Sequence, residues 1–99
     1  MSKREPMHPG EVFTRRFIGD APLLNKSKAA RMLGVSRQSL INFCSGSARL
    51  TPAFASRLAK ATGTGVSVWL TMAANYDSWH AEQTIEHLDV EPFNIGAKG

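Results

Sequence analysis

The sequence predicts an all-α domain, and three observations carry that prediction. Apolar residues recur at helical spacing through most of the chain. The runs open at Asn25, Ser36 or Thr51-Pro52 and close at Gly34, Gly46 or Gly63, and no alternating Val, Ile and Thr stretch is long enough to build a sheet. Ninety-nine residues, 42% of them hydrophobic, suffice for one domain with a modest core and leave no room for a second. Five helices are expected, with a flexible N-terminus over residues 1–7, the domain proper over residues 8–80, and a partly disordered extension over residues 81–99.

The first helix opens at His8-Pro9-Gly10-Glu11, where Pro suits a first turn because its missing N–H has no partner there and Glu11 suits the positive helix end. Val12, Phe13 and Phe17 give it an inner face, and Gly19 to Leu24 reads as a loop. Asn25 caps a second helix that runs to Leu33 and ends at Gly34. Ser36 caps a third, from Arg37 to about Cys44, with Leu40, Phe43 and Cys44 on one side and a stop at Ser45-Gly46. Thr51-Pro52 opens a fourth, in which Phe54, Ala55, Leu58, Ala59 and Ala61 keep helical spacing up to Gly63. The fifth is expected from about Val66 to near His87, with Trp79 as the candidate break. Its Val68, Trp69, Leu70, Met72, Ala73, Tyr76 and Trp79 cover more than one face, although a core needs only one apolar stripe. The surplus marks Trp69, Met72, Tyr76 and Trp79 as a candidate surface for a second subunit or a protein partner.

A formal net charge of +4 points toward a polyanionic partner, and its distribution is sharper than its sum. Residues 1–60 carry 11 basic and 3 acidic side chains, whereas residues 61–99 carry 1 and 5, so the two ends are expected to meet different partners. The single Cys44 allows no intrachain disulfide, no CxxC or HExxH spacing exists, and a reducing, cytoplasmic setting is the simpler one. No apolar run is long enough to span a bilayer, and MSKREPMHPGE lacks the apolar stretch of a signal peptide. His8, His80 and His87 with Cys44 lack a third ligand at a recognisable spacing, so no metal or cofactor is expected. No pattern orders Ser, His and Asp into a catalytic set, so an enzyme is the least favoured class.

The informative stretch is Lys26 to Cys44, in which two short helices are joined by Gly34-Val35-Ser36. Two helices crossing steeply need a small residue at their contact, a residue that tolerates positive φ at the turn, and apolar anchors behind the second helix. Ala30, Gly34, and Leu40 with Phe43 supply these in order. With those anchors turned inward, Arg37, Gln38, Ser39 and Asn42 lie where a recognition helix presents side chains to base edges in a major groove. Arg matches two acceptors on guanine, and Gln or Asn the donor and acceptor of adenine. Lys26 and Lys28 sit at the positive end of the second helix, the wrong sign for its dipole; a DNA phosphate there would accept from the free N–H groups and neutralise both. Arg49, in the loop after the third helix, is a further phosphate candidate.

Four segments, MHPGEVFTRRF, LGVSRQSLINFCSG, RLTPAFASRLAKATGT and VWLTMAANYD, together resemble the HigA-type antitoxins, a branch of the XRE family with lambda-repressor-like helix-turn-helix domains. The likeness covers residues 7–79. It implies a dimeric DNA-binding protein that represses its own operon and, with a HigB-like toxin, forms a complex in which an mRNA-cleaving enzyme is held inactive. Carried over by position, the resemblance assigns Ser36 through Ser39 and Asn42 to the recognition helix, with Ser36 at a phosphate, and Gly46 to the turn before the next loop. This chain departs from the family in having Gly65-Val66 where Ser-Pro is frequent, and Gly46-Ser47-Ala48-Arg49 where a Gly-Lys-Arg loop is frequent. The first departure is expected to loosen the start of the fifth helix, and the second to remove one phosphate contact. The rivals to this reading are a stand-alone regulator of the wider XRE family without a toxin partner, and a protein-interaction module that no longer binds DNA.

Overall fold

In a computed structural model of the chain, residues 4–19 and 24–93 are described. They form helices α1 Pro9–Phe13, α2 Lys26–Leu33, α3 Arg37–Ser45, α4 Pro52–Thr62 and α5 Val66–Glu82, with no strand among the described residues. Each of the first four starts on a side chain that takes a free N–H. His8 Nδ1 accepts from Gly10 at 2.8 Å, Asn25 from Lys28 at 2.8 Å, Ser36 from Ser39 at 3.0 Å and Thr51 from Phe54 at 3.1 Å. A side-chain cap of this kind stabilises a helix by about 0.5–2 kcal/mol. Gly34, Gly46 and Gly63 end α2, α3 and α4 with φ of 77°, 83° and 72°, a region that L side chains avoid.

Two boundaries differ from expectation. A wider π-type turn continues α1 over Thr14–Gly19, so Gly19 closes a helical segment instead of opening a loop. The remainder of that expected loop, residues 20–23, lies outside the described residues, as do residues 1–3 and 94–99 of the two expected flexible ends. Helix α5 passes through Trp79 without a break and stops at Glu82. There the side chains of Gln83 and Thr84 donate to the carbonyls of Trp79 and Ala81, both at 3.2 Å, and the chain turns into a short 3-10 segment, Ile85–His87.

The core gathers one face from every helix. Leu40 and Phe43 of α3 and Ala55 and Leu58 of α4 are fully buried, flanked by Phe13, by Ala29, Ala30 and Leu33, and by Trp69. Each large side chain withdrawn from water in this way contributes about 1.5–3 kcal/mol. Gly10 sets how closely α1 approaches α3: a Cβ at this position would lie 1.9 Å from the carbonyl oxygen of Phe43. Only a hydrogen fits, and α3 is thereby seated against α1 with its opposite edge turned to solvent.

Candidate nucleic-acid interface

The turn between α2 and α3 is held from two sides. Gly34 and Val35 both donate to the carbonyl of Ala30, at 2.9 and 3.0 Å, which closes α2. From α4, Arg57 Nη1 donates to the carbonyl of Leu33 at 2.9 Å, placing a cation at the negative end of α2. A Cβ on Gly34 would lie 2.6 Å from that nitrogen, so the glycine serves both its positive φ and the passage of the guanidinium. Arg57 was not singled out in the sequence. Its partner lies 24 residues away, beyond the reach of any local spacing rule.

With Leu40 and Phe43 directed inward, Arg37, Gln38 and Ser39 are exposed and Asn42 is half-buried on the outer side of α3. Gln38 Nε2 donates to Asn42 Oδ1 at 2.9 Å, one turn apart on that edge. The pair leaves the Gln38 carbonyl oxygen as an acceptor and the Asn42 amide as a donor for an outside ligand. Ser39 is engaged locally, since its N–H caps on Ser36 and its hydroxyl accepts from the Ser36 hydroxyl at 2.9 Å. Arg37 Nε donates to Ser27 Oγ at 2.9 Å, which draws the guanidinium over the first turn of α2.

That contact joins the two groups of residues expected to touch DNA. Arg37 now borders the turn that holds half-buried Lys26 and exposed Lys28, and Ser36 stands between the two helix starts. Asn25 occupies the N–H of Lys28, so an anion at this end meets only the N–H groups before it, together with the lysines. Exposed Arg49 lies past the other end of α3, in a loop whose Ser47 and Ala48 N–H groups both donate to the carbonyl of Asn42, at 3.0 and 3.2 Å. A nine-residue helix is roughly 13 Å long, close to the width of about 12 Å of a B-form major groove.

Of the four residues expected on a partner surface, Trp69 is corrected. It is 2% exposed and packs in the core, its indole N–H donating to Thr64 Oγ1 at 2.9 Å. Met72, Tyr76 and Trp79 are half-buried on α5, with Met72 packed against the core. Tyr76 lies between His8, edge-on at 4.8 Å, and His80, tilted at 4.4 Å, and His80 Nε2 meets the Glu5 carboxylate at 2.6 Å. Residues before α1 are thus tied to α5, which no sequence signal announced. Burial lowers the His8 pKa from its ordinary value, against the opposing pull of Asp77 and Glu11. Half-buried Cys44 lines a hollow together with Glu5, His8 and Tyr76, and no group of three His, Cys, Asp or Glu side chains among the described residues could hold a metal ion. No helix among them is long and apolar enough to cross a membrane.

Residues 23–69 match the helix-turn-helix family. Among solved structures, the chain is similar to an addiction module antidote protein of the HigA family from Coxiella burnetii, 26% identical, covering 91% of this chain and 100% of that one, with a TM-score of 0.78. A Nostoc punctiforme protein named as an antidote of a plasmid maintenance system is 36% identical, covering 85% of this chain and 90% of that one, with a TM-score of 0.77. Pseudomonas aeruginosa antitoxin HigA, solved with the higBA promoter, is 24% identical, covering 89% and 98% of the two chains at a TM-score of 0.73, a likeness of fold. No curated protein matches the chain in sequence.

Proposed function

We propose, from the premise that this chain belongs to the HigA-type branch of the XRE helix-turn-helix family, that it is a sequence-specific DNA-binding antitoxin acting in the cytoplasm. In this reading it represses its own operon as a homodimer and neutralises a HigB-like mRNA-cleaving toxin. The observation that carries the DNA part is the outer edge of α3: polar side chains with groove-reading chemistry, backed by Leu40 and Phe43 at 0% and 1% exposure. Arg37, Gln38, Ser39 and Asn42 read base edges, with Ser39 the weakest contributor because its hydroxyl already serves Ser36. Lys26, Lys28 and Ser36 dock one phosphate strand and Arg49 the other. A twofold dimer sets its two copies of α3 into successive major grooves about 34–36 Å apart on a palindromic operator. Met72, Tyr76 and Trp79 on α5 supply the surface for the second subunit or the toxin.

Mobility-shift binding to the DNA upstream of the gene tests this reading, with Arg37→Ala and Gln38→Ala beside the parent chain. Selective loss on the operator, with weak general DNA binding retained, is expected; equal loss on operator and unrelated DNA contradicts it. The neighbouring reading frame decides the toxin half. A small basic protein encoded there that co-purifies with this chain supports an antitoxin, and its absence leaves a stand-alone regulator.

A further inference from the structure

The segment after α5 has chemistry that the DNA interface does not use. Every described residue from His80 to Phe93 is exposed, and Ile85, Leu88, Val90 and Phe93 keep 54%, 59%, 74% and 89% of their surface in water. Such exposure of large apolar side chains along one stretch marks a binding surface. Leu88 leaves the 3-10 turn in an extended conformation, φ −77° and ψ 137°, and the chain continues to Phe93 without helix or turn. Among the described residues, none forms a hydrogen bond with the backbone of Asp89 to Phe93.

In a strand, Leu88, Val90 and Pro92 share one face, and Asp89, Glu91 and Phe93 the other. The same alternation sorts the backbone groups. The N–H groups of Asp89, Glu91 and Phe93 point to one edge, while the opposite edge is interrupted at Pro92, which has none. Only the first edge can complete a ladder. Between residues 82 and 93 the chain carries Glu82, Glu86, Asp89 and Glu91 and no Lys or Arg. Pairing two copies about Val90 would set Asp89 against Glu91 twice over, an unfavourable arrangement of like charges.

We propose that Leu88–Phe93 is a docking strand that adds, through the edge carrying the Asp89, Glu91 and Phe93 N–H groups, to an open sheet edge on a basic protein partner. Main-chain bonds supply the affinity, Leu88 and Val90 fill apolar pockets, and Asp89 and Glu91 face the partner's Lys and Arg side chains. The inference rests on the toxin-partner reading and says which part of this chain the basic partner grips.

The test is binding of the full-length chain to the small basic protein encoded by the neighbouring reading frame, for the parent and for Glu91→Pro and Glu91→Gln. Removing one strand hydrogen bond and setting a proline ring against the partner's backbone is expected to weaken binding about tenfold or more in Glu91→Pro. Glu91→Gln keeps the N–H and loses only a few-fold. Operator binding should be unchanged in both variants. The proposal is overturned if Glu91→Pro binds as Glu91→Gln does, or if Glu91→Pro converts a dimer to a monomer, which would assign the strand to a second copy. If the parent itself does not bind the basic protein, the toxin reading fails and takes this inference with it.

Discussion

Arg37 divides its guanidinium between two tasks. Its Nε holds Ser27 while the side chain stays exposed, so it both braces the turn and is proposed to read a base. Arg37→Ala should therefore weaken operator binding by about 1–3 kcal/mol, and Arg37→Lys should not restore it, because an ammonium lacks the planar fork. His8 makes a different prediction. Its Nδ1 accepts from Gly10 only when unprotonated, and burial holds its folded pKa below the ordinary value. Neutral His8 thus contributes stability that is complete above a pH of about 6.5 and is lost as pH falls through the lower, folded-state pKa. Melting temperatures measured between pH 7 and pH 5 should fall for the parent and fall less for His8→Asn, which caps without titrating; parallel slopes would exclude His8 as the cause. Ser36, Arg37, Gln38 and Asn42 were legible because a cap and two apolar anchors fix which way a short helix faces. Trp69 was misplaced because α5 is apolar on more than one side, and only the Thr64 hydroxyl beneath the indole settles which side is the core.

Among the elements, the α2-turn-α3 unit owes its geometry to α1 and α4 as much as to its own residues. Gly10 admits the α3 backbone, and Arg57 closes the end of α2. Gly10→Ala must push Phe43 and α3 outward, and overpacking of this kind typically costs about 1–3 kcal/mol, readable as a lower denaturation midpoint. Arg57→Met keeps most of the aliphatic stem but leaves the Leu33 carbonyl without its donor. A loss of about 1–3 kcal/mol in stability is expected, and an unchanged denaturation midpoint would remove Arg57 from the account. The caps and glycine stops were legible because they are local. The π-type turn of Thr14–Gly19 and the Arg57 bond were not: the first has no sequence signature comparable to a cap, and the second spans α2 to α4. The end of α5 fell at Glu82 because Gln83 and Thr84 take its last carbonyls, a choice the apolar spacing near Trp79 does not record.

Across the whole molecule, the basic residues cluster in the first 60 positions and most of the acidic ones follow. Helices α2 and α3 with the Arg49 loop carry the basic residues proposed to dock DNA, while an exposed acidic segment follows α5. Phosphate neutralisation should make log K for DNA fall steeply with log salt, and Lys28→Ala should reduce that slope by about 0.9, whereas Gln38→Ala should leave it unchanged. A flat response for the parent chain would favour an interaction module over a DNA-binding protein. Nuclear magnetic resonance of labelled protein titrated with operator duplex reaches the central claim most directly. The account predicts that the side-chain amides of Gln38 and Asn42 and the backbone of Arg37–Asn42 move most, with smaller changes at Lys28 and Arg49. Shifts confined to α5, with those two amides unmoved, would contradict it.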